Sequence, residues 1–263
     1  MPASYWRRER KEMLNLDTIF NENCLDTMAR MPNCFVDLTV TSPPYDNLRS
    51  YNGYSYDFEA VAKELYRVTK QGGVVVWVVG DATIKGSETG TSFRQALYFK
   101  ECGFNLHDTM IFKKHGMPTD PRLRYYQRFE YMFIFSKKRP SSYNPIADIC
   151  SSNRKQSNGV DRRGDKLVIT NKQYITKLHV IRGNIWEYNV RNIGAKHPAA
   201  FPEQLANDHI ITWSNEGDLV YDPFLGSGTT AKMAILNNRK YIGSEISEEY
   251  CKIAEERTSC AKE

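Results

Sequence analysis

Residues 218–236, DLVYDPFLGSGTTAKMAIL, pass from an apolar run into a glycine-rich turn and then into a helical pattern. Gly226 and Gly228 let the backbone approach a ligand closely, because glycine has no Cβ atom. The helix after them would present free backbone N–H groups at its first turn. A strand, a glycine turn and a helix in this order are typical of a nucleotide-cofactor site in an α/β protein.

An acidic residue follows this turn at the spacing expected in a dinucleotide-binding fold. The letters GSGTTA (226–231) fit the dinucleotide-binding fingerprint, which accepts alanine at its third small position. Glu245 ends the next predicted strand, 19 residues after Gly226, where a carboxylate would accept hydrogen bonds from ribose hydroxyls. Together these features indicate an adenosine-containing cofactor, and they leave NAD and S-adenosylmethionine both open.

Asp222, at the end of the first strand, bears on that choice. A carboxylate there would repel a pyrophosphate and would suit the ammonium group of a methionine moiety. Aspartate in a turn also accepts hydrogen bonds from the backbone two residues on, and that simpler capping role for Asp222 stays open.

A second unusual turn lies closer to the amino terminus. TSPPY (41–45) directly follows the apolar run VDLTV (36–40). Two prolines end a strand, because neither donates to a ladder and each fixes φ at about −65°. Such a turn would hold Ser42 and the Pro43 carbonyl in one geometry, although a rigid loop without function has the same composition.

Around the two turns, predicted strands alternate with predicted helices. The spacing of apolar residues predicts a helix that begins near Asp57 and ends at Gly72-Gly73. The run VVVWVVG (74–80) is typical of a strand covered on both faces. This alternation predicts an α/β protein with a doubly wound, mostly parallel sheet.

The regular pattern lapses between 138 and 196, where the chain is polar and basic. The segment 137–196 contains 13 basic and four acidic residues, a net charge of +9 within a chain of net charge +5. A polyanion partner is the natural interpretation, because neutralisation of phosphates dominates nucleic-acid affinity; a solvated loop is the simpler alternative. We place the apolar piece GNIWEY (183–188) in this segment, outside the sheet.

Composition excludes several classes of protein. The six cysteines contain no C-x-x-C pair, which argues against a zinc site or a disulfide framework and for a reducing cytoplasm. The histidines lack metal-ligand spacing, so we expect no metal ligands. No apolar run approaches the ~20 residues of a membrane span, and the charged start lacks the apolar segment typical of a signal peptide, so we interpret it as a charged tail.

The two turns, in this order, resemble those of the bacterial and phage DNA amino-methyltransferases of the permuted β group, which act on cytosine N4 or adenine N6. The resemblance runs from IFNENCLD (19–26) to IGSEIS (242–247). It implies a Rossmann-like S-adenosylmethionine-dependent methyltransferase fold with circularly permuted motif order. Two details depart from the family pattern: Glu22-Asn23 stands where members often carry Gly-Asp, and FPEQL (201–205) lacks a Lys-Pro pair that some members have.

The resemblance assigns roles to residues of this chain. The catalytic residues would be Ser42, Pro43, Pro44 and Tyr45. The residues that bind S-adenosylmethionine would be Asn23, Cys24, Thr41, Phe201, Pro202, Asp222, Pro223, Phe224, Gly226, Ser227, Gly228, Thr229, Thr230 and Glu245. Candidate DNA contacts are Arg154, Lys155, Arg162 and Arg163.

These roles imply a reaction on DNA. The methyl group would pass to the exocyclic N4 of a cytosine flipped out of the duplex, held by acceptors at Ser42 and Pro43 and stacked on Tyr45. The serine in TSPPY favours cytosine N4; adenine N6 is the alternative, and RNA or a protein glutamine is a more distant one. Methylation at cytosine carbon 5 would need a Pro-Cys nucleophile, and the chain has no Pro-Cys dipeptide.

The chain then divides into four predicted parts: a charged tail at 1–12, the catalytic half at 13–137, a basic target-recognition insert at 138–196 and the cofactor-binding half at 197–263. Candidate partners are double-stranded DNA, a second copy of the chain and a cognate restriction endonuclease. We expect no membrane contact and a cytoplasmic protein of a prokaryote or phage.

Overall fold

The computed structural model describes residues 14–44, 56–115, 125, 127–149, 159–163, 166–170, 179–189 and 202–262, and of 149, 159–163 and 166–170 it describes the backbone alone. The predicted tail at 1–12 lies outside these ranges. The described helices are α1 (Cys24–Arg30), α2 (Phe58–Val68), α3 (Thr91–Glu101), α4 (Glu203–Trp213), α5 (Thr229–Leu236) and α6 (Glu248–Ser259). The described strands are β1 (Thr18–Phe20), β2 (Val36–Thr41), β3 (Thr69–Val79), β4 (Thr83–Ile84), β5 (Ser87–Glu88), β6 (Asn105–His115), β7 (Phe129–Ser136), β8 (Ala147–Ile149), β9 (Gly159–Arg163), β10 (Lys166–Thr170), β11 (His179–Ile181), β12 (Ile185–Asn189), β13 (Leu219–Asp222) and β14 (Lys240–Ser244).

Eight of these strands form one sheet in the order β1-β14-β13-β2-β3-β7-β6-β12. β7 runs antiparallel to both its neighbours, β3 and β6. The other neighbouring pairs of this sheet are parallel. The predicted α/β fold with a mostly parallel sheet is confirmed.

The apolar pattern of the sequence explains the core. Val61, Leu65 and Val68 share one buried face of α2, as expected for a helix whose apolar residues recur every three to four positions. The last seven residues of β3, 73–79, are all buried, because helices cover both faces of a parallel sheet. Trp77 lies at the centre of this core, edge to face with Phe99 at 5.1 Å between ring centroids.

The predicted end of helix α2 is wrong by several residues. The helix ends at Val68, and the two glycines lie inside β3. Thr69 Oγ1 donates to the Leu65 carbonyl at 2.6 Å, and the buried Lys137 Nζ donates to the carbonyls of Tyr66 at 2.6 Å and Thr69 at 3.0 Å. The last carbonyls of the helix are therefore satisfied by side chains, so the helix ends before the glycines.

The segment around Trp186 also lies elsewhere than predicted. Ile185–Asn189 forms β12, the edge strand of the large sheet, parallel to β6. Trp186 is buried and stacks on His209 of α4 at 4.7 Å between ring centroids. Its side chain therefore belongs to the core of the sheet, because alternate residues of an edge strand face inward.

The chain divides into two compact units. One contains the large sheet, and the other spans Pro145–Gly183. The second unit contains two antiparallel strand pairs, β8 with β11 and β9 with β10. It falls inside the predicted insert 138–196, whose role in target recognition remains a prediction. In the described part of the chain, no helix is long and apolar enough to cross a membrane.

Candidate active site

β2 and β13 are neighbours in the sheet, and the two unusual turns follow their carboxyl ends. Leu38 pairs with Val220 and Thr39 with Tyr221 in parallel register. The chain leaves β2 through α2 towards β3 on one side, and it leaves β13 through α5 towards β14 on the other. Ligands of doubly wound sheets bind where connections diverge in this way. The proline turn and the glycine turn thus lie side by side at the switch point.

Asp222 joins the two strand ends directly. Its Oδ1 accepts a hydrogen bond from Thr41 Oγ1 at 2.6 Å, and its Oδ2 accepts one from Thr230 Oγ1 at 2.7 Å. The Phe224 N–H also donates to Oδ1 at 3.0 Å, so the turn-capping role that the sequence left open is present. One carboxylate connects β2, the glycine turn and the first turn of α5.

The environment of Asp222 opposes its negative charge. Its side chain is buried, and this desolvation raises its pKa from 3.8 to about 6 despite the hydrogen bonds from Thr41 and Thr230. A buried carboxylate with a raised pKa gains from a nearby cation, which would favour the ionised form. Asp222 therefore suits a cationic ligand group better than a pyrophosphate.

Glu245 follows β14 and holds the glycine turn by backbone contacts. The Gly226 N–H donates to its Oε2 and the Ser247 N–H to its Oε1, each at 2.8 Å. Burial raises the pKa of Glu245 above its usual value. Each carboxylate oxygen has a second lone pair, so Glu245 retains capacity for ribose hydroxyls while it orders the turn.

Both glycines of the turn are required by geometry. Gly226 has φ +54° and Gly228 has φ +83°, a region that side chains other than glycine rarely adopt. A Cβ at Gly228 would also lie 2.8 Å from Ala254 Cβ of α6. The second glycine thus permits close packing of the turn against α6.

Aromatic residues line the turn on the side of α2 and α3. Phe224 lies edge to face with Tyr56 at 4.8 Å between ring centroids. Gln95 Nε2 donates to Tyr56 Oη at 3.2 Å, and Gln95 Oε1 accepts from Trp77 Nε1 at 2.8 Å. Tyr56 and Gln95 were missed by sequence reasoning, because no motif marks them and their partners are distant in the chain.

The other predicted site residues lie as follows. Ser42 and Pro44 are half-buried and Pro43 is buried, immediately after Thr41 at the end of β2. Tyr45, Phe201, Arg154 and Lys155 lie outside the described residues. Arg162 and Arg163 are in β9, opposite Leu167 and Lys166 of β10, but their side chains are outside the described part.

Near the glycine turn, Pro202 directly precedes α4, and Thr229 and Thr230 begin α5. Asn23 caps α1 by accepting from the Leu25 N–H at 2.9 Å. The Cys24 carbonyl accepts from Tyr221 Oη at 3.4 Å, and burial raises the thiol pKa of Cys24 to about 12. Cys24 is therefore a backbone neighbour of β13 and a poor nucleophile.

Asp81, two residues after the end of β3, has a structural role. Its carboxylate accepts from the Ser92 N–H at 2.8 Å and from Ser92 Oγ at 2.5 Å. These bonds cap the start of α3. Within the described residues, no group of three or more His, Cys, Asp or Glu residues could hold a metal ion.

Arg257 of α6 contacts the glycine turn and was not predicted. Its Nη1 donates to the Ser227 carbonyl at 2.6 Å, to Ser227 Oγ at 2.8 Å and to Thr229 Oγ1 at 3.3 Å. Its Nη2 donates to Glu203 Oε1 of α4 at 2.7 Å. Sequence reasoning missed it because it lies about 30 residues beyond the motif in an ordinary amphipathic helix.

The comparisons with known proteins agree with this geometry. The family N6_N4_Mtase, described as DNA methylase, matches residues 36–256. Orphan methyltransferase M.BamHII of Bacillus amyloliquefaciens is 61% identical over 236 residues, which are 86% of this chain and 89% of that protein.

Two solved structures show the same fold. PvuII DNA methyltransferase, described as cytosine-N4-specific, superposes with a TM-score of 0.69 at 21% identity and covers 93% of this chain and 87% of that one. The DNA modification methylase TTHA0409 of Thermus thermophilus, solved with S-adenosyl-L-methionine, gives 0.63 at 24% identity, with 93% and 95% covered. The predicted methyltransferase fold is confirmed.

Proposed function

The chain belongs to the DNA methylase family, and from this premise we propose that it transfers a methyl group from S-adenosylmethionine to an exocyclic amine of a base in duplex DNA, with cytosine N4 as the favoured target. The observation that carries the proposal is the 2.6 Å hydrogen bond between Thr41 and Asp222. It joins the last residue before the Ser42-Pro43 turn to the last residue before the glycine turn. The pockets that we propose for the methyl acceptor and for the methyl donor would then share one edge of the sheet.

The residues present fit S-adenosylmethionine. Asp222 and Glu245 are carboxylates with raised pKa values at adjoining strand ends, suited to an ammonium group and to ribose hydroxyls respectively. Ile246, 40% exposed beside Glu245, offers an apolar surface for a purine ring. When bound, the cofactor supplies a methyl group activated by a sulfonium centre. The protein then acts mainly by positioning.

On the acceptor side, the chain must prepare a poor nucleophile. The lone pair of an exocyclic amine is delocalised into its ring. Hydrogen-bond acceptors at Ser42 and at the Pro43 carbonyl would bind the amine N–H groups and favour the partly cationic nitrogen of the transition state. Tyr45 would stack on the extruded base and offset part of its lost stacking.

The choice of cytosine N4 rests on the serine of TSPPY, which the family resemblance associates with that target. The fold neighbour PvuII DNA methyltransferase, described as cytosine-N4-specific, supports it. Adenine N6 is the alternative.

A second copy of this chain is a proposed partner. A cognate restriction endonuclease is the less favoured one, because the 61% identical relative is named an orphan methyltransferase.

Nucleoside analysis tests the reaction. The protein is incubated with S-adenosylmethionine and unmethylated DNA, RNA or a protein extract, and digests are analysed by mass spectrometry. We expect N4-methylcytosine in DNA. N6-methyladenine in DNA would replace the favoured target by its alternative, and product in RNA or protein alone would overturn the proposal.

Tyr45→Ala tests base capture. Loss of an aromatic stacking partner is worth about 1–3 kcal/mol per base, so we expect DNA methylation to fall by about fivefold or more while the Kd for S-adenosylmethionine stays within about twofold. Tyr143→Ala is the matched control. It removes an exposed tyrosine from the unit that contains the large sheet and should leave DNA methylation unchanged. Unchanged turnover would remove Tyr45 from the mechanism.

Arg162→Gln with Arg163→Gln tests the basic insert. Each lost phosphate contact should reduce the slope of log affinity against log salt concentration by about 0.9. Lys63→Gln with Lys252→Gln removes the same charge from exposed positions of α2 and α6 and should leave the slope unchanged. An equal slope in both double variants would place the DNA contacts elsewhere.

A further inference from the structure

Arg257 lies at the meeting point of three helices and the glycine turn. Its guanidinium donates to two acceptors of Ser227 and to Thr229 Oγ1 through Nη1, and to Glu203 through Nη2. Glu203 Oε1 also accepts from Lys232 Nζ of α5 at 2.7 Å. One arginine on α6 is thus bonded to the turn before α5 and to the first turn of α4.

Glu203 is charged at neutral pH in this arrangement. Partial burial opposes ionisation, but hydrogen bonds from Lys232 and Arg257 lower the pKa of Glu203 below its usual value. Such charge-assisted hydrogen bonds are about twice as strong as neutral ones. The guanidinium can make them in two directions at once, because its donors form a rigid planar fork that lysine lacks.

The contacts fix the turn from two directions. Arg257 holds the carbonyl of Ser227, whereas Glu245 holds the N–H of Gly226. The Leu225–Gly226 and Ser227–Gly228 peptide groups are therefore bound to different elements. Arg257 also binds Glu203, which directly follows Pro202. The family resemblance assigns Phe201 and Pro202 to the cofactor site, so this contact connects the glycine turn to a second predicted cofactor segment.

We propose that Arg257 is a positioning residue for the cofactor site, and that its ion pair with Glu203 couples the start of α4 to the glycine turn. The inference rests on the proposed function. It assigns binding of S-adenosylmethionine partly to a side chain that lies outside both sequence motifs. A merely structural arginine would affect folding, whereas a positioning residue affects cofactor affinity in folded protein.

The test compares cofactor affinity, turnover and thermal unfolding in Arg257→Gln, Arg257→Lys and Glu203→Gln. We expect Arg257→Gln to raise the Kd and KM for S-adenosylmethionine at least tenfold, with kcat at saturating cofactor within about twofold. Arg257→Lys should restore part of the affinity, because it keeps the charge but not the fork. Glu203→Gln should have a smaller effect, about threefold, and should add little to Arg257→Gln.

Lys252→Gln is the matched control. It removes the same charge from the same helix, where Lys252 pairs with the exposed Glu248, and cofactor affinity should not change. If Arg257→Gln fails to fold, Arg257→Lys and Glu203→Gln carry the test. Wild-type affinity in folded Arg257→Gln, or in both substitutes, would overturn the inference. Failure of the wild-type protein to bind S-adenosylmethionine would instead overturn the proposed function.

Discussion

The carboxyl ends of β13 and β14 each carry a buried or partly buried acid, but the two acids are held by different chemistry. Asp222 accepts from two side-chain hydroxyls and one backbone N–H, whereas the Glu245 carboxylate accepts from two backbone N–H groups. A hydroxyl can rotate and exchange donor for acceptor, and a backbone N–H cannot. The end of β13 therefore tolerates a change of hydrogen-bonding partner that the end of β14 does not.

Glu245→Gln should produce the largest effect on the cofactor. The new amide nitrogen would face a backbone N–H of Gly226 or Ser247, so one buried donor would lose its acceptor. We expect the Kd for S-adenosylmethionine to rise about 100-fold, or about 3 kcal/mol, and thermal stability to fall. Calorimetry would measure the affinity.

Glu249→Gln, which removes an exposed acid of α6, is the control for Glu245→Gln and should bind normally. Wild-type affinity in Glu245→Gln would show that cofactor binding depends neither on the charge of Glu245 nor on its hydrogen bonds to the turn.

Asp222→Asn should leave the fold intact, in contrast. The Asn Nδ2 can donate to Thr230 Oγ1, whose own proton can then go to the Val40 carbonyl 3.2 Å away. Loss of the charge should weaken binding of an ammonium group about tenfold. Equal affinity in Asp222→Asn and wild type would assign Asp222 to structure alone.

The pH dependence of the free energy of unfolding should distinguish Asp222→Asn from the wild type. The pKa of Asp222 is raised from 3.8 to about 6, so between these values the folded state binds more protons than the unfolded state. Stability of the wild type should therefore fall, relative to Asp222→Asn, as pH rises from about 4 to about 6, by on the order of 3 kcal/mol. Chemical denaturation at several pH values would measure this difference. If the free energies of unfolding of the two proteins changed with pH in parallel, the raised pKa of Asp222 would be contradicted.

Thr41→Val should give the smallest effect. Valine keeps the shape of threonine but removes one of the three donors to Asp222, at a cost of about 1 kcal/mol. Urea denaturation at pH 8 would measure it, with Thr109→Val, at an exposed position of β6, as the control. Equal losses in both variants would show that the bond between the strand ends contributes nothing to stability.

The sequence predicted the two strand ends because their signals are local. Two prolines must end β2, and two glycines must turn the chain after β13, whatever the rest of the protein does. Their adjacency followed from the resemblance and from the rule that ligands of doubly wound sheets gather at the switch point. Glu245 was singled out for the same reason, by its spacing from Gly226, and its contact with the cofactor remains a prediction.

The features that could not be predicted from the sequence depend on contacts between residues that are distant in the chain. Lys137 ends α2 from 71 residues away through its bond to the Tyr66 carbonyl, so the two glycines that follow are not needed as a stop. β12 pairs with β6 although the unit Pro145–Gly183 separates them in the sequence, and its short alternating pattern is hidden in a polar segment. Arg257 and Gln95 act through geometry that no spacing rule describes.

Thr41 and Asp222, which are joined by a hydrogen bond, lie 181 residues apart in the chain, so β2 is synthesised long before its neighbour β13. Until β13 leaves the ribosome, the edge of β2 that will receive it has no native strand to pair with. Open strand edges template aggregation, and closing so long a loop is slow. Fragments that stop before α4 should therefore be insoluble, and nascent chains should depend on chaperones until β13 has docked.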